Sequence, residues 1–251
     1  MFYVATKRST THPPNRPTAM TDLPMSPPIY RWPSGAGDPA ENMAWDALLL
    51  ERAADLVHPI LRFYGWLQPA ATFGYFQKYD QVEPLTPLRP LIRRPTGGGL
   101  VPHDRDWTYS LVFPAGHAWH QLKAPQSYRL LHEWIQAAFL GCQVRTSLCP
   151  KTRAEGPGQC FLGAEQHDLL LQDRKIAGAA QRRTRQGLLI QGSVQPPPGL
   201  DRTRWEKAFC EAGSERWNLV WNPWKPGDDL RQRALALTRK RYATEAFNRK
   251  R

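Results

Sequence analysis

HDLLLQDRKIAGAAQRRTRQGLLIQGSVQ, residues 167–195, contains three strand-like segments in immediate succession. The segments are 167–172, 175–181 and 187–195, and the residues between them are polar. Parallel neighbours in a sheet need a crossover of a dozen or more residues, whereas antiparallel strands can be joined by a short turn. This stretch therefore favours a sheet of consecutive, antiparallel strands.

The rest of the chain also carries its strands in runs. Trp107, Tyr109 and Leu111 alternate with the residues between them, which is the two-residue period of a strand. Few strand–helix–strand units occur, which argues against a doubly wound sheet. We predict an α+β fold with mixed, largely antiparallel sheets packed with helices. The other predicted strands are 60–66, 71–76 and 90–94, the predicted helices are 38–56, 126–140, 202–212 and 228–238, and 146–164 is predicted as a loop.

The first of these helices has a clear start. Asp38 is placed to cap it, Pro39 suits the first helical position, and Glu41 can reach back to the cap from the third. Apolar residues then continue to about Leu56, before Pro59.

Length and charge bound the organisation of the chain. At 251 residues and 41% hydrophobic, the chain is long enough for one domain with a sizeable core, and we expect this domain over 29–238. Residues 1–28 have a disordered composition, and 239–251 are expected to be a basic tail. The net charge of +12 is concentrated in both ends, so we expect solvated flanks and an acidic protein partner rather than nucleic acid. No apolar run approaches the roughly 20 residues of a membrane span.

The four cysteines are irregularly spaced and include no zinc-type Cys-x-x-Cys pair. We interpret them as reduced thiols in a cytoplasmic compartment. Cys160 stands in the glycine-rich stretch ahead of the predicted lysine strand. A thiolate there would be a strong nucleophile, although a lone cysteine is more often a bystander.

Two further segments could carry chemistry. RRPTGGG, residues 93–99, is followed by His103 and Asp104, and its backbone N–H groups could hold a carbonyl, a carboxylate or a phosphate. A plain hairpin turn explains it equally well, since it matches neither nucleotide-binding glycine pattern. In DRKIAGAAQ, residues 173–181, Lys175 stands beside small apolar residues. A buried ammonium is costly unless it is paired or functional, but a polar hairpin tip is also consistent.

The order of these segments resembles the biotin/lipoate ligase superfamily, from about Tyr30 to Gln195. ENMAWD (41–46), LRFYGW (61–66), GYFQ (74–77), RRPTGGG with TYS (108–110), and KIAGAAQR (175–182) followed by Gly192-Ser193 are similar to its motifs in the correct order. GYFQ, the Pro-Thr form of the glycine motif, and Cys160-Phe161 resemble the single-domain octanoyltransferase branch. Gln191 departs from the histidine usual before Gly-Ser.

The resemblance implies transfer of an octanoyl or lipoyl group from acyl carrier protein to a lysine of a lipoyl domain or of glycine-cleavage H protein. It implies a Cys160 acyl-enzyme, Lys175 holding the acyl carbonyl, and no required cofactor or metal. A monomer is expected. The implied substrate-binding residues are Arg94, Thr96, Gly97, Gly98, Gly99, His103, Gly178 and Gln191.

Three alternatives remain open at this point. An ATP-dependent lipoate–protein ligase would use the same segments to bind an acyl-adenylate, with ATP and Mg²⁺, and Cys160 would be incidental. Biotin ligase ranks lower, because its arginine-and-glycine adenylate loop is not found. A non-catalytic module binding a carrier protein or nucleic acid is the third.

Overall fold

The computed structural model describes residues 28–153 and 163–250. Strands in these ranges are β1 (Ile29–Gly37), β2 (Ile60–Trp66), β3 (Ala70–Phe73), β4 (Leu91–Arg93), β5 (Val101–His103), β6 (Trp107–Pro114), β7 (Ser147–Leu148), β8 (Leu169–Leu171), β9 (Arg174–Arg183), β10 (Gly187–Val194) and β11 (Trp221–Pro223). Helices are α1 (Pro39–Glu51), α2 (Tyr79–Val82), α3 (Ala118–Gln121), α4 (Ala124–Gly141), α5 (Arg202–Trp217), α6 (Asp228–Leu237) and α7 (Glu245–Asn248).

The strands form a large and a small sheet. The large sheet has the order β11-β1-β2-β6-β10-β9-β8-β7, and the small one β4-β3-β5. Pairing is parallel only for β1 with β11, β1 with β2, and β3 with β4 among the described strands. The predicted α+β fold with mixed, largely antiparallel sheets is confirmed, and 167–195 indeed forms three consecutive antiparallel strands.

Both faces of the large sheet are covered by helices. Leu61, Leu111 and Ile190 point to the face on which α4 and α5 pack, while their neighbours Ile60, Val112 and Leu189 point to the face covered by α1 and α6. The two-residue alternation of strands therefore supplies both cores. Other side chains of β9 and β10 line a pocket together with residues of the small sheet.

Helix α1 begins as the sequence predicts but ends earlier. Asp38 Oδ1 accepts hydrogen bonds from the N–H groups of Ala40 and Glu41 at 2.9 and 3.2 Å. Glu41 does not return to the cap in the described contacts, because its carboxylate accepts from the Trp45 indole at 3.2 Å. The α-helix ends at Glu51, and a 3₁₀ turn at Ala53–Asp55 replaces the final turn that we predicted up to Leu56.

The prediction that 239–251 is a basic tail is wrong for most of this segment. Residues 238–242 form a π-helical turn and α7 follows, with Tyr242, Phe247 and Asn248 buried. The segment is basic, but its aromatic residues are apolar and pack against α1 and β4. The disordered extension was predicted for 1–28, and residues 1–27 of it lie outside the described residues.

None of the helices among the described residues combines the length and the apolar character needed to cross a bilayer. The predicted loop at 146–164 contains the short strand β7 and a bridge between Arg153 and Ala164.

Candidate active site

Side chains from both sheets and from α1 line one pocket. Residues of β9 and β10 that form its wall lie directly opposite each other, as Ser193 does with Gly178 and Gln191 with Ala180. The lining residues are Met43, Tyr64, Thr72, Arg94, Val101, His103, Thr108, Lys175, Gly178, Ala179, Ala180, Gln191, Gly192 and Ser193.

Lys175 is buried in this wall and is not a hairpin tip. Its Nζ lies 2.7 Å from Asp168 Oδ2, and the side chains are 7% and 0% exposed. Tyr128 donates its hydroxyl proton to the other oxygen of Asp168 and accepts from the N–H of Ala179 at 3.3 Å. The charge of Lys175 is thus compensated inside the protein, as a buried ammonium requires.

A strand irregularity aims the lysine. Residues three apart on a regular strand point to opposite faces, yet the Lys175 side chain lies across Gly178. The pairing of β8 with β9 shifts between Leu169 and Leu170, which inserts one extra residue into β9 beside Lys175. A Cβ on Gly178 would lie 2.6 Å from Lys175 Cε. The glycine therefore makes space for the lysine stem.

The two neighbouring arginines point in different directions. Arg93 turns away from the pocket and donates to the backbone oxygens of Tyr75, Gln77, Phe247 and Asn248. Arg94 lines the pocket, and its guanidinium donates to the carbonyl oxygens of Gly97 and Thr72 at 2.5 to 3.3 Å.

The three glycines lie beside the pocket, outside its lining. Gly98 has φ +85°, and a Cβ on Gly74 would meet the Gly98 oxygen at 1.9 Å. The loop is thus packed tightly onto the end of β3, and only glycine tolerates both conditions. The loop also holds Arg94 in place, because the Gly97 carbonyl oxygen accepts a hydrogen bond from the Arg94 guanidinium.

Gln191 and Thr96 are joined in the buried wall. Thr96 donates its hydroxyl proton to Gln191 Oε1 at 2.6 Å, and Gln191 Nε2 donates to Asp46 Oδ2 at 2.7 Å. Asp46 is fully buried and is also bound by Arg62 at 2.9 Å. A carboxylate can accept several such bonds at once, so Asp46 fixes the orientation of Gln191.

His103 belongs to a second buried polar group. Its Nδ1 lies 2.8 Å from Asp106 Oδ2, and its Nε2 lies 2.8 Å from Thr72 Oγ1. Ser193 donates to the same Asp106 oxygen at 2.6 Å, and the Trp66 ring stacks on His103 at 3.9 Å. These bonds hold the imidazole rigidly.

Burial also keeps two phenols protonated. It raises the pKa of Tyr64 and of Tyr128, and the adjacent carboxylates of Asp46 and Asp168 raise each further. Both tyrosines therefore remain hydrogen-bond donors to their aspartates.

Of the residues predicted for the site, Lys175, Arg94, His103, Gly178 and Gln191 share the pocket. The carboxylates that hold them were missed, namely Asp46, Asp106 and Asp168. Asp106 follows His103 by three residues, the only local signal that could have suggested it. Cys160 lies outside the described residues. In the described ranges, no three His, Cys, Asp or Glu side chains are grouped to hold a metal ion.

Comparison with known proteins identifies the family. The model for the lipoyl protein ligase A/B catalytic domain matches residues 38–196, more than half of the chain. The chain belongs to this family. The family predicted from the sequence motifs is thereby confirmed, and the matched segment runs from α1 through β10.

Members of the lipoyl protein ligase A/B family with similar sequences include octanoyltransferases LipM. The one from Halalkalibacterium halodurans is 34% identical over 64% of this chain and 63% of its own length. That from Geobacillus kaustophilus is 34% identical over 68% and 66%, and that from Bacillus subtilis 33% over 64% and 63%. The match thus spans just under two thirds of the length of these relatives.

Solved structures of the family confirm the fold. The T. acidophilum protein Ta0514 with bound lipoic acid superposes with a TM-score of 0.73 at 18% identity, covering 89% of this chain and 99% of that one. Lipoate-protein ligase A bound with ATP gives 0.72 at 18% identity, covering 88% and 98%.

Proposed function

We propose that this protein transfers an octanoyl group from the thioester of acyl carrier protein to the acceptor lysine of a lipoyl domain or of glycine-cleavage H protein. The observation that carries the proposal is Lys175, a buried ammonium held by Asp168 in the wall of a largely apolar pocket. The octanoyltransferase relatives support this function over the others possible on the fold.

The acyl chain occupies the pocket beside Met43, Val101 and Ala179, and its carbonyl lies toward Lys175. An ammonium in a site that excludes water stabilises negative charge as it develops on the carbonyl oxygen. Arg94, Thr96 and Gln191 hold that wall in place, and backbone N–H groups of Gly97 to Gly99 are further candidates to contact the substrate.

Cys160 supplies the nucleophile in this proposal. Its thiolate attacks the thioester carbonyl, a new C–S bond forms, and the carrier thiol leaves with a proton. The acceptor amine then attacks the acyl-enzyme, the amide bond forms and the Cys160 thiol is released. Two exchanges replace one difficult step.

The thioester already carries the activation, so no ATP, cofactor or metal is needed. The net charge of +12 suits an acidic carrier protein, since complementary charge accelerates encounter. A cytoplasmic location is part of the proposal, because the nucleophilic thiol must stay reduced.

The acyl-enzyme is tested by mass spectrometry after incubation with octanoyl-acyl carrier protein. We expect one hydroxylamine-labile octanoyl adduct on Cys160, absent in Cys160→Ser together with transfer. Cys210→Ser is the matched control, because burial raises the pKa of the Cys210 thiol to about 12 and keeps it unreactive. Full transfer by Cys160→Ser would exclude the acyl-enzyme, and pyrophosphate release from ATP and lipoate would establish a ligase instead.

A further inference from the structure

A second cavity meets the pocket at His103. This acceptor groove opens between the end of β2 and the β5–β6 turn, and His103 lines both it and the pocket. Residues that define the groove are Gly65, Trp66, His103, Asp104, Asp106 and Arg202.

The groove has an acidic character. Asp104 is exposed and Asp106 is buried. Arg202 is held away by its own partners: its guanidinium lies 2.8 Å from the carboxylate of Glu206, which Arg31 also approaches at 3.6 Å, and it donates to the Tyr64 carbonyl. The lining holds two carboxylates and one guanidinium, so a cationic side chain entering here would meet more negative than positive charge.

Asp106 carries an unused acceptor. Its Oδ2 binds His103 and Ser193, whereas its buried Oδ1 has no hydrogen-bond partner in the part of the chain that the structure describes. A buried carboxylate oxygen without a donor is costly, so such an atom points to a donor that is supplied by a ligand. The side chain of a lysine ends in three such donors.

His103 is arranged to take a proton. With Nδ1–H donated to Asp106, the neutral ring presents Nε2 as an acceptor toward Thr72, whose hydroxyl lies 3.5 Å from the Arg94 guanidinium. A carboxylate on Nδ1 both fixes this tautomer and stabilises the imidazolium that forms after protonation.

We propose that the acceptor groove admits the lysine side chain of the lipoyl-domain acceptor, that Asp104 and Asp106 bind its ammonium, and that His103 removes one proton from it. The free amine then attacks the acyl carbonyl held near Lys175. Of the three ammonium protons, one goes to His103, one leaves with the departing thiol, and one stays on the amide. This inference rests on the proposed octanoyl transfer.

The test separates the two half-reactions. Octanoyl-enzyme is prepared from octanoyl-acyl carrier protein, freed of donor, and chased either with a lipoyl domain or with hydroxylamine. Hydroxylamine is a free base at neutral pH and needs no proton acceptor, whereas a lysine does. His103→Asn keeps a donor toward Asp106 but lacks Nε2, and Asp106→Asn removes the charge with little change of shape.

His103 also lines the acyl pocket, so each chase rate is divided by the amount of octanoyl-enzyme that the same variant forms, and the hydroxylamine chase of each variant is the reference for its lipoyl-domain chase. Transfer to the lipoyl domain should fall by about 100-fold, the usual size of a general-base contribution. Asp229→Asn removes an exposed carboxylate on α6 and serves as the control for net charge.

Equal losses of rate in the lipoyl-domain and hydroxylamine chases would mean that His103 and Asp106 only support the fold. An unchanged rate in the lipoyl-domain chase would also overturn the proposal. If these variants do not fold, the exposed Asp104→Asn decides: a raised KM for the lipoyl domain supports the groove, and an unchanged KM contradicts it. Failure of the unchanged protein to form any acyl-enzyme would remove the proposed function together with this inference.

Discussion

At the scale of single residues, the site depends on charges that are buried in pairs. Removing one member of a buried ion pair typically costs about 3–5 kcal/mol, because the other charge stays behind without a partner. Lys175 with Asp168 and Arg62 with Asp46 are both of this kind. Such pairs add little to stability by themselves, so their value here is that they fix where the cation lies.

Gly178 tests how closely the lysine must be placed. In Gly178→Ala, the new methyl group would approach Lys175 Cε to 2.6 Å and Asp168 Oδ1 to 3.1 Å, so the end of the lysine side chain must shift beside Asp168. We expect acyl-enzyme formation to slow by at least about tenfold, which corresponds to 1.4 kcal/mol of lost transition-state stabilisation.

Single-turnover kinetics with octanoyl-acyl carrier protein measure this rate. Gly227→Ala is the control, because nothing lies within 4 Å of a Cβ there. An unchanged rate in Gly178→Ala would show that the position of Lys175 is not critical.

The residue types of the site could be predicted from the sequence, but their partners could not. Lys175 was singled out because a cation beside small apolar residues is unusual, and Arg94 because it belongs to the glycine-rich motif that resembles the family's. Asp168 is seven residues from Lys175, and Asp46 is well over one hundred residues from Gln191. No local sequence pattern therefore links either aspartate to the side chain that it binds. The bulge that turns Lys175 toward Gly178 depends on the pairing of β9 with β8. The alternation of residues along β9 alone does not reveal it.

At the scale of elements, the C-terminal segment supports strand β4, which precedes the glycine loop. Asn248 Oδ1 accepts from the backbone N–H of Arg93 at 2.8 Å, and the Asn248 carbonyl oxygen accepts from the Arg93 guanidinium at the same distance. Since Arg93 ends β4 and Arg94 follows into the pocket, the segment that we had expected to be a tail holds the strand that presents Arg94.

Asn248→Ala should therefore lower the free energy of unfolding by about 1–3 kcal/mol, the cost of leaving a buried N–H unpaired. Urea denaturation provides the measurement, and Lys240→Ala in the same segment, at an exposed position, provides the control. Equal stability of Asn248→Ala and the unchanged protein would show that this contact is dispensable.

Strands β6 and β10 were easier to predict than the last helical segment, residues 238–248. The strand-like run 187–195 predicts β10 to within one residue of its ends, and the alternation of Trp107, Tyr109 and Leu111 marks the start of β6. The segment 238–248 has no such period, and its high charge concealed the three buried side chains that attach it.

At the scale of the whole molecule, stability should depend on a buried histidine. His132 donates from Nδ1 to the Tyr128 carbonyl, while its Nε2 is buried without a partner among the described residues. Burial lowers the pKa of His132 to about 4, although the charge of Asp168 partly opposes this shift.

The unfolded chain takes up a proton on this histidine at a higher pH than the folded protein does. Its contribution to stability is therefore complete above the ordinary histidine pKa of about 6.5 and is lost as the pH falls toward 4. We expect up to about 3 kcal/mol of pH-dependent loss from this group, since one pKa unit corresponds to about 1.4 kcal/mol.

Urea unfolding across this pH range should show a flatter curve for His132→Gln than for the unchanged protein. Carboxylates titrate in both proteins, and the pKa of His117, also about 4 because of burial, adds the same slope to both. The difference between the curves isolates His132, and parallel curves would contradict this account.

The two sheets of the molecule enclose a pocket whose wall contains the Lys175–Asp168 ion pair. His103 lies where this pocket meets the acceptor groove. The most direct test of the protein's proposed activity offers a lipoyl domain two octanoyl sources separately: octanoyl-acyl carrier protein without ATP, and octanoate with ATP and Mg²⁺. The mass of the lipoyl domain is then measured. We predict octanoylation from the carrier protein alone, whereas octanoylation only from octanoate with ATP would contradict a thioester-dependent transferase.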